Sequence, residues 1–471
     1  MTLIIASHTT MLILGAILVL GTISKAEYNS YNSKTSYFWV FDNSTTIKTN
    51  QWTTFQLGIQ TCNAIHISGV YRHGARWPGE KYIIGMTSLQ NKLLQHIPNI
   101  DNSPYKFLKT WKNLYPIDKE KDLITLGAQE MEAIGRRLGQ RMQSFLVNRL
   151  DQLLFISANK QRAQESAKEF YKALIKATTG QDRNLTTLVI NNTIVRYYDK
   201  CGKIDSIKKS EGFLKEFDDF CNGRFFKNAT ENIVQRLGLV NAALDKDEVE
   251  LLYLMCPYER TCFSRNDWCS MLSDDEKDIL GYAKDLEIYY EEAYGHPLLA
   301  SNSCPLMQNI FNGLDDAIKG GAENRRYTPG IFRFGHSETL VPFFAALGMF
   351  KDDYPIRANN YKAMTNRKFN TTNMIPYSAN LEFVLYECNN GSSATEHYLK
   401  LFHNEVEVPI PGCRGILCKY DDVRALHADM IDNCQLDSIC KEPAGSSDRR
   451  TLVNGVIIFL ALLFSNSVKN L

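Results

Sequence analysis

The apolar residues of this chain switch repeatedly between strand-like runs and helical spacing. Residues 64–71, Ala64-Ile65-His66-Ile67-Ser68-Gly69-Val70-Tyr71, are apolar and partly β-branched, and predict a buried strand. A helix opens at Thr125, a residue suited to its N-cap. Met131, Ile134, Leu138, Met142 and Phe145 recur along it at helical spacing and mark its buried face. Arg136, Arg137 and Arg141 fall largely off that stripe, so a solvated face is expected for them. Residues 153–157 form the next strand, followed by an amphipathic helix through Phe170, Leu174 and Ile175. Strand character returns at residues 330–335. A helix follows over 339–347, with Gly348 as its stop. Residues 381–386 read as a core strand. Residues 399–411 read as an extended or hairpin segment near an edge, because Pro409 and Pro411 exclude a central strand. Between about 166 and 324 the chain is dominated by charged and aromatic helical segments, such as 211–220 and 274–294, and its strand signal is confined to 187–198.

This alternation predicts an α/β fold with a mixed, mostly parallel central sheet flanked by helices. The expected organisation is a discontinuous α/β unit over 27–165 and 325–440, interrupted by a mainly helical insertion over 166–324. A chain of 471 residues is long enough for this arrangement.

Both ends carry targeting patterns. Residues 11–20 are apolar, and Ser24 and Ala26 satisfy the small-residue rule for cleavage before Glu27, so 1–26 reads as a signal peptide. In the tail, 441–471, the small residues Ala444-Gly445-Ser446-Ser447 precede a short polar spacer and an apolar stretch over 452–464. That order fits a glycosylphosphatidylinositol anchor signal. Twelve cysteines, an even number, fit an oxidising compartment. None lies in a CxxC pair, which argues against a zinc site. Cys413/Cys418 and Cys434/Cys440 are spaced for local bridges, Cys256, Cys262 and Cys269 form a cluster, and a Cys62–Cys388 bridge would staple two core strands. Asn43, Asn184, Asn191, Asn228, Asn370 and Asn390 are glycosylation sequons, as expected of a secreted or cell-surface chain. The net charge of +1 excludes a general nucleic-acid binder. Any strongly basic site must be local.

Such a site stands at Arg72-His73-Gly74-Ala75-Arg76-Trp77-Pro78, where the first strand ends. Ligands of open α/β sheets bind beyond the carboxyl ends of strands. Guanidinium forks match phosphate oxygens and stay charged. A histidine among them suggests a phosphoryl-transfer nucleophile. The run resembles the motif of the histidine acid phosphatase family, in which this histidine is transiently phosphorylated. Thr125, Gly127, Glu130, Gly135 and Arg137 also resemble the family's equivalent helix. Arg162 follows a strand and opens a helix, a setting that favours anions. There it matches the family's third phosphate-binding arginine; Lys160 is the poorer candidate.

The second constellation is Phe334-Gly335-His336-Ser337-Glu338. Many family members place aspartate directly after the histidine. Here Ser337 intervenes and Glu338 is the acid, which resembles the His-Ala-Glu signature of multiple inositol polyphosphate phosphatases, as does the whole stretch 333–351. The resemblance spans roughly residues 60–440 and departs from that signature at Ser337, whose hydroxyl adjoins Glu338. It implies His73 as nucleophile and Glu338 as proton donor, with Arg72, Arg76, Arg162 and His336 on the phosphoryl oxygens. It also implies inositol polyphosphates such as inositol hexakisphosphate as substrates, 2,3-bisphosphoglycerate remaining open, and neither metal nor cofactor. For attack His73 must be neutral, its other ring N–H given to an acceptor such as a backbone carbonyl. Two other readings remain open. A broad-specificity acid phosphatase would carry the His-Asp pair absent here. A non-catalytic phosphate-binding protein would be expected to lack His73 or Glu338, and both are present.

Overall fold

The computed structural model describes residues 30–41, 51–389 and 395–441. The expected signal segment, Asn43, Asn390 and the anchor signal after residue 441 lie outside them.

Among the described residues, nine strands form one mixed sheet: β1 (Thr54–Leu57), β2 (Gln60–Arg72), β3 (Leu154–Ser157), β4 (Val189–Ile190), β5 (Gly330–Gly335), β6 (Asn380–Asn389), β7 (Glu396–His403), β8 (Val406–Val408) and β9 (Cys418–Lys419). The order is β4-β3-β5-β2-β6-β7-β8, with β1 also on β2 and β9 on β7. The four strands β4, β3, β5 and β2 are mutually parallel; β6 runs antiparallel to β2, and β7 antiparallel to β6. The longer helices are α1 (Glu80–His96), α2 (Thr125–Arg141), α3 (Gln161–Thr179), α4 (Arg224–Leu237), α5 (Lys246–Phe263), α6 (Asp274–Ile288), α7 (Cys304–Ala322) and α8 (Ser337–Leu347).

Both faces of the sheet are covered, which explains why its central strands read as nearly continuous apolar runs. Alternate side chains go to opposite sides. Tyr71, Phe332, Phe334 and Val384 join the cluster that also holds Met131, Ile134, Leu138, Phe170 and Leu174 of α2 and α3. Val70, Leu381, Phe383 and Leu385 join the other cluster, with Ile310, Phe311 and Leu314 of α7 and Phe343 of α8. Helix α3 crosses position 165 without a break, and α4 to α7 fill the chain between β4 and β5.

Several expectations need correction. Thr125 is the first residue of α2, and Ile124 occupies the cap position. Residues 187–198 yield only the two-residue β4. The Asn191 side chain then accepts the N–H groups of Thr193 and Ile194 and caps a short helix, Asn192–Val195, that ends the strand. Arg136 is exposed, but Arg137 and Arg141 do not form a solvated face. Both ion-pair with Glu405 (Arg141 at 2.7 Å), and Arg141 is fully buried with its guanidinium over the Trp52 ring. Glu405 and Asn404 form the two-residue β7–β8 turn, both with positive φ, the backbone that matches hairpin twist. Among the bridges, Cys62–Cys388 links a directly opposed pair on β2 and β6, and Cys413–Cys418 and Cys256–Cys269 are formed. Cys434 and Cys440 do not pair with each other. They reach back to Cys304 and Cys201, fastening residues near the end of the described chain to the helical region. Cys221 and Cys262 remain free.

Candidate active site

Strands β2 and β5 are parallel neighbours, with Arg72 opposite Gly335. The two sequence constellations therefore leave the sheet side by side. The backbone N–H of His73 donates to the Gly335 carbonyl at 3.0 Å, and the His73 and His336 rings lie 5.3 Å apart between centroids. Arg162 opens α3 at the carboxyl end of β3, the next strand along, so all six expected site residues gather at one edge of the parallel half-sheet.

The loop after β2 is held from behind by α2. Helix and loop cross so closely that a Cβ on Gly74 would sit 2.2 Å from the Gly127 carbonyl oxygen, and one on Gly127 2.2 Å from that of Ala75. Buried Glu130, one turn further on, takes the N–H of Ala75 at 3.0 Å and the hydroxyls of Ser36 at 2.6 Å and Ser378 at 3.0 Å. From α3, the Ser166 hydroxyl accepts the Gly74 N–H at 3.1 Å and donates to the Arg162 carbonyl, tying Arg162 to the loop.

His73 is buried. Its Nδ1 lies 2.8 Å from the Gly74 carbonyl oxygen, which accepts the Nδ1 proton and leaves Nε2 with its lone pair. Burial, then Arg162, His336, Arg72 and Arg76, hold the ring far below its usual pKa, so it is neutral. The Arg72 guanidinium donates to the Ser33 carbonyl at 2.8 Å and to that of Ile375, and lies 4.6 Å from the Tyr377 ring centroid. Its Nε, the Arg162 Nε and both His336 ring nitrogens are buried without partners. Buried polar atoms are almost always satisfied. Four such atoms in one site mark it as built for an anion.

Glu338 lies in the first turn of α8 and accepts the Ser337 hydroxyl on Oε2 at 2.8 Å. Burial, then Arg162, hold His336 below its usual range against the pull of Glu338. Burial acts to raise the Glu338 carboxyl, but His336, its own backbone N–H, the Ser337 hydroxyl and Arg72 outweigh it and hold the group low. A neutral His336 contributes little to that lowering, so the two hydrogen bonds and the arginine are the causes that remain. These partners favour the Glu338 carboxylate, whereas its expected role calls for a proton.

Sequence reasoning passed over three neighbours. Glu130 stands out only as part of the family-like spelling of its helix, and Tyr377 gives no signal. Glu292 lies in an acidic helical stretch with nothing to single it out. It falls in the π-helical turn Tyr289–Ala293 that continues α6 and packs on α8. Its Oε2 is buried without a partner. Burial, then the charge of Glu338, push its carboxyl up to about 8.

The model of the histidine phosphatase superfamily (branch 2) matches residues 65–404. Among curated proteins, the multiple inositol polyphosphate phosphatase 1 of Gallus gallus is 29% identical over 81% of this chain and 85% of its own length. That of Homo sapiens is 26% identical over 83% and 84%. Among solved structures, the Bifidobacterium longum multiple inositol polyphosphate phosphatase in complex with inositol hexasulfate superposes with a TM-score of 0.67 at 16% identity, covering 89% of this chain and 99% of that one. The phytase from D. castellii gives 0.66 at 14% identity, covering 84% and 87%. At these identities the two structures establish the fold.

Proposed function

The chain belongs to branch 2 of the histidine phosphatase superfamily, and from that premise we propose that it hydrolyses phosphate monoesters of inositol polyphosphates, inositol hexakisphosphate among them, through a phosphohistidine. The observation that carries this reading is the neutral His73, its Nδ1 proton held by Gly74, beside His336 and Glu338 at the ends of two adjacent strands. The names of the relatives support the substrate class.

In the first step Nε2 of His73 attacks phosphorus in line with the ester oxygen. The P–O bond breaks, and the departing alkoxide takes a proton from Glu338. Arg72, Arg76, Arg162 and His336 hold the phosphoryl oxygens and stabilise the charge spread over them in the transition state. In the second step Glu338, now a carboxylate, takes a proton from water as that water attacks phosphorus. The P–N bond breaks, phosphate leaves, and His73 and Glu338 return to their starting states. A bound phosphate dianion offsets the arginines and opposes the Glu338 charge, so substrate binding raises the Glu338 pKa. Glu338 thereby gains its proton when the reaction needs it.

Phosphate release from inositol hexakisphosphate, 2,3-bisphosphoglycerate and an aryl phosphate, measured across pH with His73→Ala as control, tests this. Turnover of the first with no phosphoenzyme in the variant is expected. Turnover of the aryl ester alone would indicate a broad-specificity acid phosphatase. Labelling of His73→Ala with phosphate would overturn the nucleophile. Glu338→Gln should slow esters with poor leaving groups more than the aryl ester.

The same proposal places the protein on the secretory route and at the cell surface. The apolar segment before Glu27, six sequons and five disulfides support it. The tail supports a glycosylphosphatidylinositol anchor, and release from cells by a phosphatidylinositol-specific phospholipase is the expected result.

A further inference from the structure

We propose that Lys34 binds a second phosphate of the substrate, distinct from the phosphoryl group being transferred, and so favours polyphosphorylated esters over simple ones. This rests on the substrate reading above.

The segment carrying Lys34 is built in, although it precedes the sheet. The Asn32 amide donates to the Gly281 carbonyl at 3.0 Å, to Asp285 at 2.8 Å and to Thr371 at 2.9 Å. The next carbonyl, that of Ser33, accepts the Arg72 guanidinium. Lys34 is therefore fixed one residue from the group that orients a phosphate-facing arginine.

Among the described residues no carboxylate pairs with Lys34, and its Nζ donates to the Ser33 hydroxyl at 3.2 Å. Nearby Lys284, by contrast, is satisfied by both Glu250 and Glu287. After burial, the groups acting most on Lys34 are Arg76, Arg72 and Lys284, all cations, which hold its amine well below the usual lysine range, while Glu338 pulls the other way. A partly buried amine facing two guanidinium groups is costly unless an anion joins them.

Two observations place that anion. The Ser33 carbonyl, next to Lys34, is bonded to the Arg72 guanidinium at 2.8 Å, so Lys34 meets the site at Arg72, while its amine bonds the Ser33 hydroxyl and none of the six residues expected around the transferred phosphoryl. Lys34 also borders a cavity, but Glu250 and Glu287 line it beside Phe217 and Leu254 and repel an anion, and its volume of about 30 Å³ accepts little more than a water. The anion then lies toward Arg72 and Arg76, where a neighbouring phosphate on the same ring would fall.

The test compares wild type, Lys34→Met and Lys34→Arg in two measurements. One is kcat/KM for inositol hexakisphosphate against kcat/KM for an aryl phosphate. The other is competitive inhibition of the aryl reaction by myo-inositol hexasulfate, a polyanion that is not turned over. The Met variant should lose about tenfold or more on the hexakisphosphate beyond any loss on the aryl ester, the scale of one charge-assisted hydrogen bond. Hexasulfate inhibition should weaken by a similar factor, and Arg should restore much of both. Equal losses on both substrates, no loss at all, or inhibition indifferent to Lys34 would overturn the proposal. A wild type that cleaves the aryl ester but not the hexakisphosphate would sink the substrate reading instead, and the inhibition series would still decide Lys34.

Discussion

The Ser337 hydroxyl donates to Oε2 of Glu338 at 2.8 Å, at the position where the related signature carries alanine. The bond favours the carboxylate over the acid. Ser337→Ala removes it and should raise the Glu338 pKa by about one unit. As the proposed proton donor, Glu338 then stays active to higher pH. The alkaline limb of the kcat–pH profile, measured on an ester with a poor leaving group, should move up by that amount. A limb that moves down or stays in place would show that Ser337 does not tune this group.

The crossing of α2 over the motif loop leaves no room for a methyl group at Gly127. Both sides of the contact are backbone, so a substitution must push the loop or the helix. Gly127→Ala should cost about 1–3 kcal/mol by overpacking. It should also lower kcat/KM for every substrate, because the displaced residues are those next to His73. Urea unfolding and kinetics on the same preparations check both. Full activity with unchanged stability would mean that the loop yields freely.

Glu405 holds two buried or nearly buried arginines and also accepts the Tyr37 hydroxyl at 2.9 Å. Removing one member of such a group strands the others. Glu405→Gln should cost about 3–5 kcal/mol in denaturant unfolding. Replacing Glu405, Arg137 and Arg141 together with methionine should cost less than that single change, since no charge is left without a partner. The reverse order would contradict this account.

Glu292 gives a pH dependence of stability with a definite sign. Its folded carboxyl titrates at about 8, above its ordinary value of 4.5. Between those values the folded state keeps a proton that the unfolded state has lost. Stability from this group is therefore complete below about pH 4.5 and drains away as pH rises toward 8. Glu292→Gln does not titrate, so its advantage over wild type should widen from pH 5 to pH 8, by up to about 1.4 kcal/mol per unit. Melting of the substrate-free enzyme across that range measures it. A gap constant with pH would place the carboxyl in water.

How far the sequence could be read depended on whether a signal was local. The strands around His73 and His336 and the helix stop at Gly348 are written in short windows of periodicity and turn chemistry, and they appear where expected. The pairing of Arg137 and Arg141 is not legible locally because their partner sits in a hairpin turn more than 260 residues away. For Cys434 and Cys440, closeness in sequence favours a local bridge, whereas packing against the helical region brings Cys304 and Cys201 nearer. The site's cradle was hidden for a related reason. Glu130 is an ordinary helix-forming residue until the loop it supports is folded over it. The ionised state of Glu338 depends on a serine hydroxyl and a helix end that composition cannot show.

The parallel pairing of β2 with β5 joins residue 72 to residue 335. All of the intervening chain must be made, and at least partly collapsed, before the two strands meet. Such distant pairing makes for slow folding, because a long loop must close before any contact rewards it. Until then β2 exposes a long apolar edge, and His73 has neither its backbone partner at Gly335 nor His336 beside it. A chain that ends short of β5 therefore lacks one half of the proposed site and leaves the β2 edge open to association.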